Sequence, residues 1–344
     1  MRSFSLPYTS LPTFYKILSE FGETYYPRIL GRHSTYELWK GEEEGIEVSG
    51  LVKALEQVRP VEPLKEFFLT SREQVASFPQ LFSKEIKPKV IVGAKGCDIH
   101  ALIDIQDNVY LKGETEDPFY KERRMKHYII TVDCPEPIDT CFCNLLDGKP
   151  YAAWGGDMNI SFAEDKLIVD VLSEKGEKLA DKMGAAGVFG ELDDKDIKYR
   201  DKIRANAERK LAKINKELFP TDLPERIEVQ LDTNFWAKAL ANCVDCQACE
   251  RICPTCYCFL LYDTPAGKGF ERTKVLDFCY HAAYARVGGG ANPLAHFSHR
   301  LRNRFECKFM SFPRNFKVIA CTGCGRCISG CSGKIDIREV LRAL

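Results

Sequence analysis

Short apolar runs that end in glycine or in a loop recur through the first half of the chain. Residues 89–93 (KVIVG), 127–133 (HYIITVD) and 166–172 (KLIVDVL) each predict a buried strand. The first two lead directly into cysteine-bearing loops, and functional sites gather at the carboxyl ends of parallel strands. These runs predict an N-terminal α/β domain over residues 1–222.

Helical spacing replaces the short runs further along the chain. Residues 199–218 are dense in charge, with apolar side chains such as Ile203 and Leu211 recurring at helical intervals. This pattern predicts an amphipathic helix that joins two domains, with the boundary near Pro220. A short helix over residues 233–241 follows, with Thr233 or Asp232 as its cap.

Charge and composition narrow the class of protein. The 49 basic and 49 acidic residues balance, so no overall field attracts nucleic acid or an anionic membrane. The N-terminus lacks the apolar core of a secretory signal, and no apolar run is long enough to span a bilayer. Residues 184–190 are glycine-rich but lack the G-x-G-x-x-G order of a dinucleotide-binding site, so they predict a turn. The acidic residues Glu42 to Glu44 predict a solvated turn. We therefore expect a soluble, cytoplasmic protein without nucleic-acid binding or membrane insertion.

Two copies of one cysteine pattern dominate the C-terminal part. Cys243-x2-Cys246-x2-Cys249-x3-Cys253 is repeated as Cys321-x2-Cys324-x2-Cys327-x3-Cys331. This is the spacing of bacterial-type ferredoxins, in which the fourth cysteine of each run ligates the other cluster. The predicted ligands of the first [4Fe–4S] cluster are Cys243, Cys246, Cys249 and Cys331. Those of the second are Cys321, Cys324, Cys327 and Cys253.

Zinc is the alternative metal for closely spaced cysteines. Structural zinc sites use two separated ligand pairs, however, whereas each run here holds four cysteines close together. The pattern favours two [4Fe–4S] clusters, and clusters need reduced thiolates, which points to a reducing compartment and an anaerobic organism. The predicted fold class is α+β: the N-terminal α/β domain precedes a mostly helical, two-cluster ferredoxin-like domain over residues 223–344, with a long insertion at 254–320.

The loops after the first two predicted strands carry four further cysteines. They are Cys97, Cys134, Cys141 and Cys143. They predict a possible third metal site, most simply another [4Fe–4S] cluster, with zinc or a redox-active pair of Cys141 and Cys143 as lesser options. Because unligated cysteine is among the most buried residue types, simple packing is the competing interpretation.

The insertion at 254–320 has two features of its own. It contains four cysteines at irregular spacing, which are Cys256, Cys258, Cys279 and Cys307. Their spacing favours packing over metal ligation, although a further metal site stays open. Residues 298–317 alternate basic and aromatic side chains. Such a stretch can bind single-stranded nucleic acid or form a solvated face. The adjacent cysteine motif instead favours basic residues that surround an anionic cluster or form a docking surface for a partner subunit.

Several segments together resemble one known family. They are residues 93–102 (GAKGCDIHAL), Asp117 to Tyr120 with Arg123 and Arg124, the cysteines at 134, 141 and 143, residues 253–258 (CPTCYC), residues 300–304 and residues 321–327 (CTGCGRC). They resemble the iron–sulfur subunit that anaerobic sulfite reductases share with cytoplasmic nickel–iron sulfhydrogenases, in which it is the beta subunit. Cys307 stands where the family has a histidine, and Ser332 follows Cys331 where the family has proline.

The resemblance implies a non-catalytic electron-transfer subunit. It would lie between a flavin-containing diaphorase subunit and a catalytic subunit of hydrogenase, sulfite-reductase or heterodisulfide-reductase type. Two other functions stay open: a catalytic redox subunit that binds substrate at the 97–143 loops, and a scaffold stabilised by its clusters. No side chain is predicted to act as a catalytic base or nucleophile.

Overall fold

A computed structural model of the chain describes residues 2–41, 47–79 and 82–344. The acidic turn predicted at Glu42 to Glu44 lies outside these ranges. The strands are β1 (Ser3–Pro7), β2 (Glu23–Leu30), β3 (His33–Leu38), β4 (Arg72–Phe78), β5 (Lys89–Ala94), β6 (Tyr128–Val132), β7 (Met158–Phe162), β8 (Lys166–Val171), β9 (Phe259–Ala266) and β10 (Gly269–Leu276).

Helices connect and cover these strands. They are α1 (Leu11–Ser19), α2 (Val48–Glu56), α3 (Gly96–His100), α4 (Asp107–Tyr110), α5 (Pro118–Lys126), α6 (Glu174–Ala185), α7 (Asp194–Ile214), α8 (Leu223–Val229), α9 (Thr233–Ala239), α10 (Ala248–Arg251), α11 (Phe297–Glu306), α12 (Phe312–Phe316), α13 (Arg326–Ser329) and α14 (Ile337–Ala343). Two π-helical segments, Ala101–Gln106 and Cys307–Ser311, join α3 to α4 and α11 to α12. No helix within the described ranges is long and apolar enough to cross a membrane.

The N-terminal half is built on a seven-stranded sheet. Its order is β1-β8-β7-β6-β5-β2-β3, and the four strands β2, β5, β6 and β7 are parallel neighbours. Successive residues of β5 point to opposite faces, as the period of a strand requires. Val90 and Val92 pack with α1, α2 and α6, whereas Ile91 packs on the other face with Ile99 of α3 and Tyr120 of α5. Helices therefore cover both faces, which confirms the α/β character predicted for this half.

The predicted elements of this half are present with small shifts in their ends. The runs at 89–93, 127–133 and 166–172 form β5, β6 and β8. The amphipathic helix is α7, which begins earlier than predicted because Asp193 and Asp196 form a capping box at its start. The glycine-rich segment at 184–190 is a turn at the end of α6, with Gly187 at φ +67°. The cap of α9 is Asp232, which accepts a hydrogen bond from the amide of Asn234.

The C-terminal part combines short helices with a β-hairpin. The insertion at 254–320 forms β9 and β10, and β10 pairs with β4 of the N-terminal half in a three-stranded sheet. The expectation of a mostly helical C-terminal unit is not confirmed, because this hairpin belongs to it. A core around Trp236, Phe305, Phe309 and Leu341 fills the space between the helices and also takes in Phe142 from the N-terminal half. The division at residue 222 stays a prediction.

Candidate iron–sulfur sites

The first cysteine run and the last cysteine of the second run face one cavity. Cys243, Cys246, Cys249 and Cys331 all line a space of about 630 Å³. Apolar side chains, including Leu301 and Phe305, form much of the remaining wall. The structure thus brings together the four residues predicted to hold the first cluster, although their role as ligands stays a prediction.

The second run faces a smaller cavity with the reciprocal partner. Cys321, Cys324, Cys327 and Cys253 line a space of about 330 Å³. Each run therefore faces a cavity that also contains the fourth cysteine of the other run, and the exchange of ligands predicted from the ferredoxin pattern stays a prediction.

The two cysteine loops share one backbone conformation. In the first run Asp245 and Gln247 lie in the left-handed region, at φ 51° and 58°. In the second run Gly323 and Gly325 occupy the equivalent positions, at φ 61° and 72°. Each loop then enters a four-residue helix, α10 or α13. Left-handed backbone is uncommon for residues other than glycine, so its recurrence at matched positions identifies a loop geometry that both cysteine runs require.

The four N-terminal cysteines also meet at one cavity. Cys97, Cys134, Cys141 and Cys143 line a space of about 340 Å³ next to the carboxyl ends of β5 and β6. In size this cavity matches that of the second run, and Cys324 of that run is a fifth cysteine in its lining. Three basic residues, Arg59, Lys95 and Lys149, line it as well and would offset the negative charge of a bound cluster. The residues present therefore fit a [4Fe–4S] group.

Burial raises the pKa of three thiols of this site. It raises the pKa of Cys134 to about 11 and that of Cys143 to about 12, and it also raises the pKa of Cys97. Iron binds thiolates, so assembly of a cluster here would release protons. Within the described ranges no three His, Cys, Asp or Glu side chains are placed to bind a single metal ion. A cubane is held differently, with each thiolate on its own iron.

Two cysteines connect the three cavities into a row. Cys324 lines both the N-terminal cavity and that of the second run. Cys327 lines both the cavity of the second run and that of the first. The second-run cavity is therefore the middle member, and each neighbour is one side chain away.

Direct contacts hold the N-terminal loops against the second cysteine run. The Phe142 amide donates to the Gly323 carbonyl at 2.8 Å, and Thr140 Oγ1 lies 2.7 Å from Ser329 Oγ. Arg326, inside the run, forms a buried bidentate ion pair with Asp98, the neighbour of Cys97. The two halves are thus joined at the cysteine loops themselves.

Buried cations lie beside the thiols of the second run. Lys308 Nζ is 3.5 Å from Cys253 Sγ and donates to Thr255 Oγ1 at 2.6 Å and to the Ala320 carbonyl at 3.2 Å. Arg304, one helical turn earlier, donates to the Cys249 carbonyl at 3.1 Å. Both side chains are almost completely buried. The interpretation of residues 298–317 as cluster surroundings suits these two positions, whereas Arg314 pairs with Glu228 on the surface.

Several residues of these sites were not identified from the sequence. Arg59 and Lys95 carry buried charges at the N-terminal cavity, and Asp98 and Arg326 form a buried ion pair between the two cysteine loops. The four-residue spacing of Arg304 and Lys308 was a usable signal, because residues four apart share one helix face. The ion pair between Asp98 and Arg326 had no comparable signal, since the partners are 228 residues apart.

Two of the four cysteines of the insertion contact the first run, and the other two contact tyrosines of the insertion itself. A hydrogen bond from the Cys256 side chain lowers the pKa of Cys253. Cys258 Sγ lies 3.4 Å from Tyr284 Oη, and Cys307 Sγ lies 3.4 Å from Tyr257 Oη. Cys279 Sγ donates to the buried Glu250 carboxylate at 2.8 Å. Each of these thiols therefore has a protein partner.

Comparison with known proteins agrees with this geometry. Residues 242–335 match the model of a 4Fe-4S dicluster domain. Over 346 residues the chain is 29% identical to the sulfhydrogenase 2 subunit beta of Pyrococcus furiosus, an alignment that covers 99% of this chain and 98% of the relative. The chain is therefore an iron–sulfur protein of the electron-transport class, and its full-length similarity to a sulfhydrogenase beta subunit confirms the resemblance predicted from its sequence.

Proposed function

We propose that this chain is an electron-relay subunit of a multi-subunit oxidoreductase, with three [4Fe–4S] clusters arranged in a row. Cys243, Cys246, Cys249 and Cys331 would hold one terminal cluster. Cys321, Cys324, Cys327 and Cys253 would hold the middle one, and the four N-terminal cysteines the other terminal one. Such clusters, when bound, supply one-electron transfer at a potential set by their surroundings.

The sharing of cysteines between cavities is the observation that carries this proposal. Cys324 and Cys327 each line two of the three cavities, so neighbouring sites are separated by little more than one side chain. The protein's own contribution is to fix this order and to surround the middle site with buried cations. The partners would be a flavin-containing diaphorase subunit and a catalytic subunit, as the similarity to a sulfhydrogenase beta subunit suggests.

Iron and acid-labile sulfide counts test the number of clusters. Three clusters predict about twelve irons per chain and no zinc, whereas two predict about eight. Cys246→Ser should remove one cluster and interrupt electron transfer while the N-terminal half stays folded. Cys143→Ser should remove a different cluster. Cys307→Ser is the matched control, because the serine hydroxyl can still hydrogen-bond to Tyr257. This variant should lose no iron.

Two results would contradict the relay. Electron transfer that persists in Cys246→Ser would show that electrons bypass the first-run site. Clusters that cannot be reduced at any accessible potential would instead favour a scaffold. Loss of iron in Cys307→Ser would show that the ligand sets proposed above are incomplete.

One cleft favours a catalytic redox subunit as the second candidate function. It has a volume of about 1020 Å³ and is lined by Cys97 and Cys321, one cysteine from each of two proposed clusters. His100 also lines it, with Nδ1 3.0 Å from Asp104 Oδ2. A substrate here would lie beside two electron donors and an imidazole that can transfer a proton. Substrate turnover by the purified chain supplied with a chemical reductant would favour this function, and His100→Gln should then abolish turnover without loss of iron.

A further inference from the structure

A second large cleft lies between the two halves, on the side of the first-run site. Its volume is about 990 Å³. One wall comes from the β2–β3 turn at Arg32 and His33 and from residues 57–61, and the other comes from α13 and the segment that follows it. The cleft reaches Cys331 but is separate from the three thiol cavities. A small molecule could therefore enter it without displacing a cluster.

The walls of this cleft carry positive charge and hydroxyl groups. Its described lining includes Arg32, Arg59 and Arg326, whereas no described lining residue is acidic. Arg326 is neutralised by Asp98. Arg32 and Arg59 form no ion pair with any carboxylate in the described parts of the chain. Two uncompensated guanidinium groups facing one space make it attractive to an anion.

Two buried polar atoms of the cleft lining lack a hydrogen-bond partner among the described residues. Arg59 is only 7% exposed; its Nη2 donates to Ser329 Oγ at 3.2 Å, and its Nη1 lies 3.7 Å from Cys141 Sγ. Its Nε has no partner among the described atoms, and neither does the hydroxyl of Ser34, which is 4% exposed. A buried donor left unsatisfied costs about 1–3 kcal/mol. Both groups therefore point to an acceptor that the chain itself does not supply.

We propose that this cleft is a binding site for a small molecule that carries an oxyanion group, either a phosphate or a carboxylate. Oxyanions accept several hydrogen bonds and match the planar fork of arginine. Arg59 and Arg32 would bind the anionic group, and Ser34 would donate its hydroxyl. Binding of the anion does not require the proposed relay, since none of the binding groups is a cysteine.

Arg59 also connects this site to the N-terminal thiols. The same guanidinium lines the cleft and approaches Cys141 through Nη1, at 3.7 Å from the sulfur. An anion bound to Arg59 would reduce the positive charge felt at Cys141 and so lower the reduction potential of a cluster held there. Linkage requires the converse, that reduction weakens anion binding. This coupling, unlike the binding itself, rests on the proposed N-terminal cluster.

Calorimetric titration of the full, cluster-loaded chain under anaerobic conditions tests the site. The probes are pyrophosphate, inorganic phosphate and citrate, with ionic strength held constant by sodium chloride. At least one oxyanion should bind at a single site, and preference for phosphates over citrate identifies the group. Arg32→Gln should weaken binding about tenfold or more, because it removes a charge-assisted hydrogen bond, and Ser34→Ala should weaken it less. Arg72→Gln, which changes an exposed arginine of β4, should match the wild type.

Each failure has a separate signature. Absence of binding by all three probes, or equal affinity in wild type and Arg32→Gln, would overturn the proposed site. Redox titration with and without the bound oxyanion tests the coupling, and one cluster should then show a lower potential. If the iron count reveals only two clusters, oxyanion binding should persist while this shift disappears. The anion site would then stand although the third cluster does not.

Discussion

The Arg326 guanidinium and the Asp98 carboxylate form a bidentate ion pair, with Nη1–Oδ1 at 2.8 Å and Nη2–Oδ2 at 2.9 Å. Both side chains are buried, at 2% and 0% exposure. Arg326 belongs to the second cysteine run, and Asp98 follows Cys97. The Arg326 Nε also donates to the carbonyls of Pro60 and Val61. One arginine thus joins the second cysteine loop to the N-terminal half.

Removing one partner of this pair should be strongly destabilising. Arg326→Met leaves the Asp98 charge buried and unpaired, which typically costs about 3–5 kcal/mol. We expect the melting temperature, followed by the visible absorption of the clusters, to fall sharply in Arg326→Met and in Asp98→Leu. The double variant should recover part of this loss, because neither charge is then left alone. Additive losses in the double variant would show that the two side chains act independently.

Gly325 is required where the second cysteine loop touches the N-terminal half. A Cβ at this position would lie 2.1 Å from the Thr140 carbonyl oxygen, and the backbone is left-handed at φ +72°. Gly325→Ala should therefore destabilise the chain by about 3 kcal/mol or more, through steric overlap added to backbone strain. Chemical denaturation and the iron content of the purified variant would measure the effect.

Gly267 provides the matched control for this substitution. It too has left-handed backbone, at φ +58°, but a Cβ there would meet nothing within 4 Å. Gly267→Ala should cost only the backbone strain, about 1 kcal/mol. If both alanine variants lose the same stability, contact with Thr140 is not what requires glycine at position 325.

Local pattern predicted much of this molecule, and long-range pairing explains what it missed. The apolar run at 89–93 predicted β5, and the ferredoxin spacing grouped Cys331 with the first run. The pairing of β10 with β4 joins segments far apart in the chain, for which no local periodicity exists. The basic stretch around Lys308 gave a less specific signal. Its position beside the cysteine motif favoured cluster surroundings or a docking surface, but local pattern did not distinguish the buried basic side chains from the exposed ones. That Lys308 is buried beside the Cys253 thiol emerges only in the fold.

His127 should make the stability of the N-terminal half depend on pH. Burial lowers the pKa of His127 to about 3, from an ordinary value of 6.5. Between these values the unfolded chain binds the proton and the folded chain does not, so stability falls as pH falls, by up to about 1.4 kcal/mol per pH unit. His127→Phe should flatten this dependence, and its ring would lie against Phe68. Urea unfolding at about pH 7 and pH 5 would measure this change in stability.

His296→Phe is the control, because His296 is exposed. It should retain the wild-type dependence of stability on pH. An equal change in both variants would exclude His127 as the cause.

Lys308 should set the reduction potential of the middle cluster. Its Nζ is 3.5 Å from Cys253 Sγ and is shielded from solvent. A fixed positive charge favours the reduced state of a cluster, which is the more negative one. Lys308→Met should therefore lower the reduction potential of one cluster by roughly 60 mV. For a one-electron couple this corresponds to a tenfold change in the equilibrium constant for reduction. Lys308→Arg keeps the charge and should restore most of the wild-type potential, whereas Lys268→Met, in the exposed β9–β10 turn, should leave every potential unchanged. Redox titration followed by electron paramagnetic resonance would resolve the individual clusters. A wild-type potential in Lys308→Met that retains its full iron content would show that the lysine serves packing alone.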